Sequence, residues 1–148
     1  MGALVRICAG EGELAFDVDG AQLVPTELGW EERPTVVLLG ETARYRDALG
    51  PALAGVAQVV YLDDAVSGDE LLAFLDALEI DRPVLLGGSV AVDVAARHPG
   101  RAARVVLVGR ELDEAAEATG CPVLAFGGAD ELRARTDDVV AFVLEPEP

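Results

Sequence analysis

Short β-branched runs alternate with Ala- and Leu-rich stretches of helical period along the chain, without an internal repeat or low-complexity segment. A chain patterned this way must stack helices on a sheet whose strands are buried on both faces, so an α/β class is expected. Residues 3–8 and 13–18 read as strands joined into an antiparallel N-terminal edge, with Asp19-Gly20 as the turn after the second. Turn formers and charge make 24–34 a loop leading into a buried strand over 35–39. A helix is expected from about Ala43, interrupted at Gly50-Pro51, followed by a strand over 57–62 that Asp63-Asp64 ends.

Residues 69–78 place Leu71, Leu72, Phe74, Leu75 and Leu78 at helical spacing, with acids at the dipole-favoured start. A strand at 84–87 is followed by a Gly-Gly-Ser turn and a helix through Ala96 that stops at His98-Pro99-Gly100. Then come a strand at 104–108, a short helix over about 111–118, and a strand at 122–126. In the tail, 139–144 fits a helix or a strand, and helix is favoured. The five later strands read as parallel, which gives a mostly parallel sheet flanked by helices with its ligand crevice beyond the strands' carboxyl ends. With 148 residues there is material for one domain, 1–148, and 51% apolar residues suffice for a real core.

Composition removes whole mechanisms. The basic residues are all Arg, and a chain without Lys forms no Schiff base, pyridoxal phosphate linkage or P-loop contact; no cofactor is expected. His98 is the single histidine, so one chain cannot assemble a multi-histidine metal site. Eleven basic against 27 acidic residues leave a net charge of −16, which repels phosphates and argues against nucleic acid as a partner. No apolar run is long enough for a membrane span, and the N-terminus lacks a secretory pattern, so a cytoplasmic protein is expected. Cys8 and Cys121 make no C-x-x-C and read as buried reduced thiols.

Gly87-Gly88-Ser89-Val90-Ala91, set between a strand and a helix, is close to the G-x-S-x-G nucleophile elbow, with Ala for the last Gly. In that elbow glycines allow a strained turn that lifts the Ser hydroxyl above the sheet. The surrounding run LDALEIDRPVLLGGSVAVDVAARHPGRAARVVLVG, from Leu75 to Gly109, resembles the α/β-hydrolase family, most of all its proline iminopeptidase-like branch. FDVDGAQLVPTELGWEERPTVVLLG (16–40) and VAQVVYLDD (56–64) are similar to the strands that precede that family's elbow, so the resemblance spans about two thirds of the chain.

The resemblance implies Ser89 as nucleophile, Val90 N–H as an oxyanion donor, and Asp130 or Glu131, in CPVLAFGGADE (121–131), as the catalytic acid. Three parts of the family pattern lack a counterpart. Leu39-Gly40-Glu41-Thr42 replaces the family's His-Gly-Gly-Pro-Gly-type oxyanion loop; only 110–121 separate the strands between which the cap belongs; and no His follows the acid. Losing one oxyanion donor costs on the order of 10²-fold in rate, and losing the histidine base about 10⁶. His98 follows Ser89 by nine residues on one helix, roughly 13 Å away, whereas a base must approach to about 3 Å.

The leading expectation is a catalytically degenerate homologue that binds a small molecule or a protein partner, as a homodimer or heterocomplex. A second is a weak esterase or aminopeptidase using Ser89 with Asp130, or a tailoring catalyst for cyclisation, elimination or decarboxylation. Asp93, four residues after Ser89, is the candidate acid or base for the latter, and its bland reading is a solvated acid favoured by the helix dipole. A third is a hard-cation site from Glu41, Asp63, Asp64, Asp130 and Glu131, all following strand ends, although acids there commonly serve as caps. Arg110, on the same rim, suits either an acidic substrate or a neighbouring acid.

Overall fold

Strand Thr35–Leu39 (β5) is buried at every position, because its side chains alternate between two apolar clusters on opposite faces of the sheet. The computed structural model describes residues 5–9, 12–20, 23–40, 42–62, 67–98, 100–109 and 118–144. Around β5 the strands Gln58–Leu62 (β6), Val84–Gly87 (β7), Arg104–Val108 (β8) and Val123–Phe126 (β9) run parallel. Val5–Ala9 (β1) and Gly12–Asp19 (β2) form the antiparallel edge, giving a seven-stranded order β1-β2-β6-β5-β7-β8-β9. The fold class expected from the alternating pattern is the one observed.

Helices Gly68–Ala77 (α2) and Ser89–Arg97 (α3) cover one face with Leu71, Phe74, Leu75, Val92, Val94 and Ala95. Phe16 from β2 meets Phe74 edge to face at 5.1 Å, which ties the antiparallel edge to this layer. Ser67 starts α2 with a capping box: its hydroxyl accepts the Glu70 N–H, and the Glu70 carboxylate accepts the Ser67 N–H, both at 3.2 Å. The other face carries helices Thr42–Ala54 (α1), Ala129–Ala134 (α4) and Thr136–Leu144 (α5), through Tyr45, Leu49, Leu53, Leu132, Val139 and Val143. The tail is thus helical, as favoured, with Val139 and Val143, one turn apart, facing the sheet.

Two local expectations are corrected. Helix α1 passes through Gly50-Pro51 without a break. Proline disfavours a helical residue before it in part through that residue's Cβ, which Gly50 lacks. A Cβ at Gly50 would also lie 2.9 Å from the Tyr61 hydroxyl, so glycine lets α1 pack close on β6. Within 24–34, expected as a loop, Leu23–Thr26 (β3) and Gly29–Glu32 (β4) form a two-stranded hairpin. Glu27 and Leu28 make its turn, with the Thr26 hydroxyl accepting the Leu28 N–H at 3.2 Å and Gly29 at φ 122°. Strand β1 reaches Ala9, one residue beyond its expected end, and residues 3–4 lie outside the described residues. The short helix expected over 111–118 lies largely outside the described residues.

Candidate functional site

β7 ends at Gly87 against the end of β5, where a Cβ on Gly87 would sit 3.1 Å from the Leu39 Cβ. Glycine lets the two strand ends approach this closely without displacing Leu39. Gly88 then turns the chain at φ −107°, ψ −127°, and Ser89 opens α3 with its side chain exposed. No residue from Gly87 to Ser89 has a left-handed φ, so the strain expected of a nucleophile elbow is not present at Ser89. The turn is a glycine-capped helix start. The Val90 N–H belongs to the first turn, whose amides have no acceptor inside the helix, and it points along the favourable end of the dipole.

His98 caps the other end of the same helix: its N–H donates to the Val94 carbonyl at 2.9 Å, and its side chain is exposed. One helix therefore separates the serine from the only imidazole of the chain, as the spacing requires. Asp93 is half-buried and is brought to Arg97 at 2.9 Å, one turn further along α3. Its Oδ2 also lies 3.0 Å from where a Cβ on Gly68 would stand, at the start of α2. Asp93, Arg97 and His98 line a cavity of about 200 Å³ with Ser67, Gly68 and Asp69, and Ser89 is not part of its wall.

Asp130 and Glu131 occupy the first turn of α4, after β9. β8 separates β9 from β7, which sets these acids about 10 Å from the Ser89 turn by strand spacing alone. The Glu131 carboxylate accepts the Gly127 N–H at 2.6 Å and stands 3.8 Å from Arg135, so it closes the β9–α4 turn; Asp130 is exposed. Glu41, Asp63, Asp64 and Arg110 lie outside the described residues, and among the described residues no three His, Cys, Asp or Glu gather as a metal site needs. Between β5 and α1 only Gly40 and Glu41 intervene.

A polar cluster not expected from the sequence lies on the α1 face at the β2 edge. Arg46 bonds Asp17 at 2.6 Å, approaches Asp19 at 3.3 Å and covers the Tyr61 ring at 3.9 Å. Burial alone would lower the Arg46 pKa, but Asp17, with Tyr61 and Asp19 beside it, outweighs burial and raises the pKa. Burial raises that of Tyr61 despite the neighbouring guanidinium. The Tyr61 hydroxyl is buried beside Arg46 and Asp19 but meets neither with good hydrogen-bond geometry. The only advance signal was the i, i+2 spacing of Asp17 and Asp19, which puts both on one face of a strand.

No protein-family model and no curated protein matches the chain in sequence. Solved structures do match in fold. A haloalkane dehalogenase loop variant from Bradyrhizobium elkanii superposes with a TM-score of 0.59 at 18% identity, over 74% of this chain and 41% of its own. A serine hydrolase from the polyaromatic-hydrocarbon-degrading Cycloclasticus zankles gives 0.58 at 18%, over 74% and 46%. An epoxide hydrolase mutant from Vigna radiata gives 0.58 at 15%, over 75% and 39%. This is a reduced α/β-hydrolase fold. The chain spans less than half the length of these hydrolases, and at such identities the likeness establishes the α/β-hydrolase architecture alone. No described helix is long and apolar enough to cross a membrane.

Proposed function

We infer that the chain is a catalytically degenerate α/β-hydrolase homologue that acts by binding, as a scaffold or partner protein. The observation that carries this reading is the placement of Ser89 and His98 at opposite ends of α3, in a chain with no other histidine. With the chain's single imidazole a helix length away, no histidine of this chain is placed to take the serine proton near neutral pH. The relaxed backbone at Ser89, the two-residue β5–α1 connection and the use of Glu131 to hold the Gly127 N–H support the same reading. Ser89, Val90, Asp130 and Glu131 are then remnants of a triad and oxyanion site, and Asp93 is an ion-pair partner of Arg97.

Residues 75–109 support descent from the proline iminopeptidase-like branch, with a two-residue connection where that branch carries its oxyanion loop and no room for a cap between β8 and β9. Self-association or a protein partner covers the crevice that a cap would close. The test is turnover of p-nitrophenyl acetate and of a proline arylamide, with a Ser89→Ala control. Rates of parent and variant that coincide fit the binding role. A Ser89-dependent rate on either substrate establishes the competing weak hydrolase.

A further inference from the structure

We propose that the β3–β4 hairpin is a docking arm for a cationic, partly apolar segment of a partner protein. This goes beyond the reading of Ser89, because the arm lies at the other end of the sheet. It links Asp19, which pairs near the start of β6 at Val59, to Thr35, the first residue of β5, whereas Ser89 follows the carboxyl end of β7. The two proposals therefore fail separately.

A two-stranded hairpin is at best marginally stable in water, and this one makes its only extensive contacts between its own strands among the described residues. It also presents large apolar side chains to solvent: Leu28 at the tip is fully exposed and Trp30 is 72% exposed. Pro25 pairs directly with Trp30, so both project from one face and extend the apolar surface. Scattered exposed apolar residues are ordinary, but a tryptophan on an arm without other support marks a surface that becomes buried.

Charge selects the occupant. Glu27, Glu31 and Glu32 belong to the hairpin and its turn, which contain no basic residue, and the adjoining Arg33 is directed to the Gly55 carbonyl at 2.8 Å. A second copy docked hairpin to hairpin would set the same glutamates against each other, and anionic lipid or nucleic acid would be repelled likewise. A segment with Lys or Arg beside apolar residues satisfies both halves of the surface, its cations reaching Glu32, which shares the Trp30 face of β4, and the indole itself.

Trp30 is the single tryptophan, so its emission reports this arm alone. The probe is a short amphipathic helical peptide of Lys and Leu, followed by Trp30 emission and by the anisotropy of the labelled peptide. The expected result is saturable binding with a blue shift, weakened about tenfold or more by Trp30→Ala and by Glu32→Lys, and within about twofold of the parent for Asp137→Lys on α5. Circular dichroism confirms that each variant is folded. Absence of binding, or equal weakening by Glu32→Lys and Asp137→Lys, overturns the proposal. So does a blue shift with phosphatidylcholine vesicles, which would indicate a lipid surface, or one that grows with protein concentration alongside a dimer mass, which would indicate a second copy.

Discussion

Ser89 begins and His98 caps one nine-residue helix, so the chain's only imidazole is held away from its elbow serine by the length of α3. If His98 serves only as an exposed helix end, His98→Gln changes stability by no more than about 0.5 kcal/mol. It also leaves the reactivity of Ser89 untouched. Urea unfolding checks the first expectation, and a larger loss would mean that His98 holds more than the helix terminus.

Glu131 is placed to close a turn. Its carboxylate accepts the Gly127 N–H and faces Arg135, yet the side chain is 43% exposed, so solvent weakens both interactions. Glu131→Ala should cost about 1 kcal/mol, lowering the melting temperature by roughly 2–4 °C in a domain of this size. Asp130→Ala, at an exposed neighbour, should change it far less.

Tyr61 carries a buried hydroxyl that makes no well-formed hydrogen bond among the described residues, and removing it should help. Tyr61→Phe is expected to stabilise the fold by about 1 kcal/mol. The same change should alter the alkaline response. Burial raises the Tyr61 pKa in the folded chain, while the unfolded tyrosine titrates near 10. The unfolded state therefore loses its proton first, and stability falls as pH rises past about 10 towards the folded-state value. Unfolding midpoints from pH 8 to 11 should fall more steeply for the parent than for Tyr61→Phe.

Gly50 lies against that hydroxyl and against the Arg46 stem, at 2.9 and 3.2 Å from the position of an added Cβ. Gly50→Ala should cost about 1–3 kcal/mol by overpacking, although alanine is the better helix former. In the Tyr61→Phe background the cost should shrink by about 1 kcal/mol, a coupling that a double-mutant cycle measures.

What could be foreseen depended on whether local sequence or tertiary contact decides. β5, β7 and β8 were legible because each is an unbroken apolar run bounded by Pro, Gly or charge, and a strand buried on both faces needs nothing more. The ends of α3 were legible because Gly-Gly-Ser starts a helix and His-Pro-Gly stops one. The β3–β4 hairpin was not, since Pro25 and its glutamates carry no strand pattern. Gly50-Pro51 reads as a break until the close packing on Tyr61 explains the glycine. The Asp17–Arg46–Tyr61 cluster was hidden because it depends on the register that sets Asp17 opposite Tyr61.

A binding role requires that Ser89 be unactivated. Treating the chain and Ser89→Ala with a fluorophosphonate, then reading intact mass, asks this without knowledge of any substrate. The prediction is no Ser89-dependent adduct at neutral pH. Rapid labelling that Ser89→Ala abolishes would contradict it, and would mean that a base reaches the elbow.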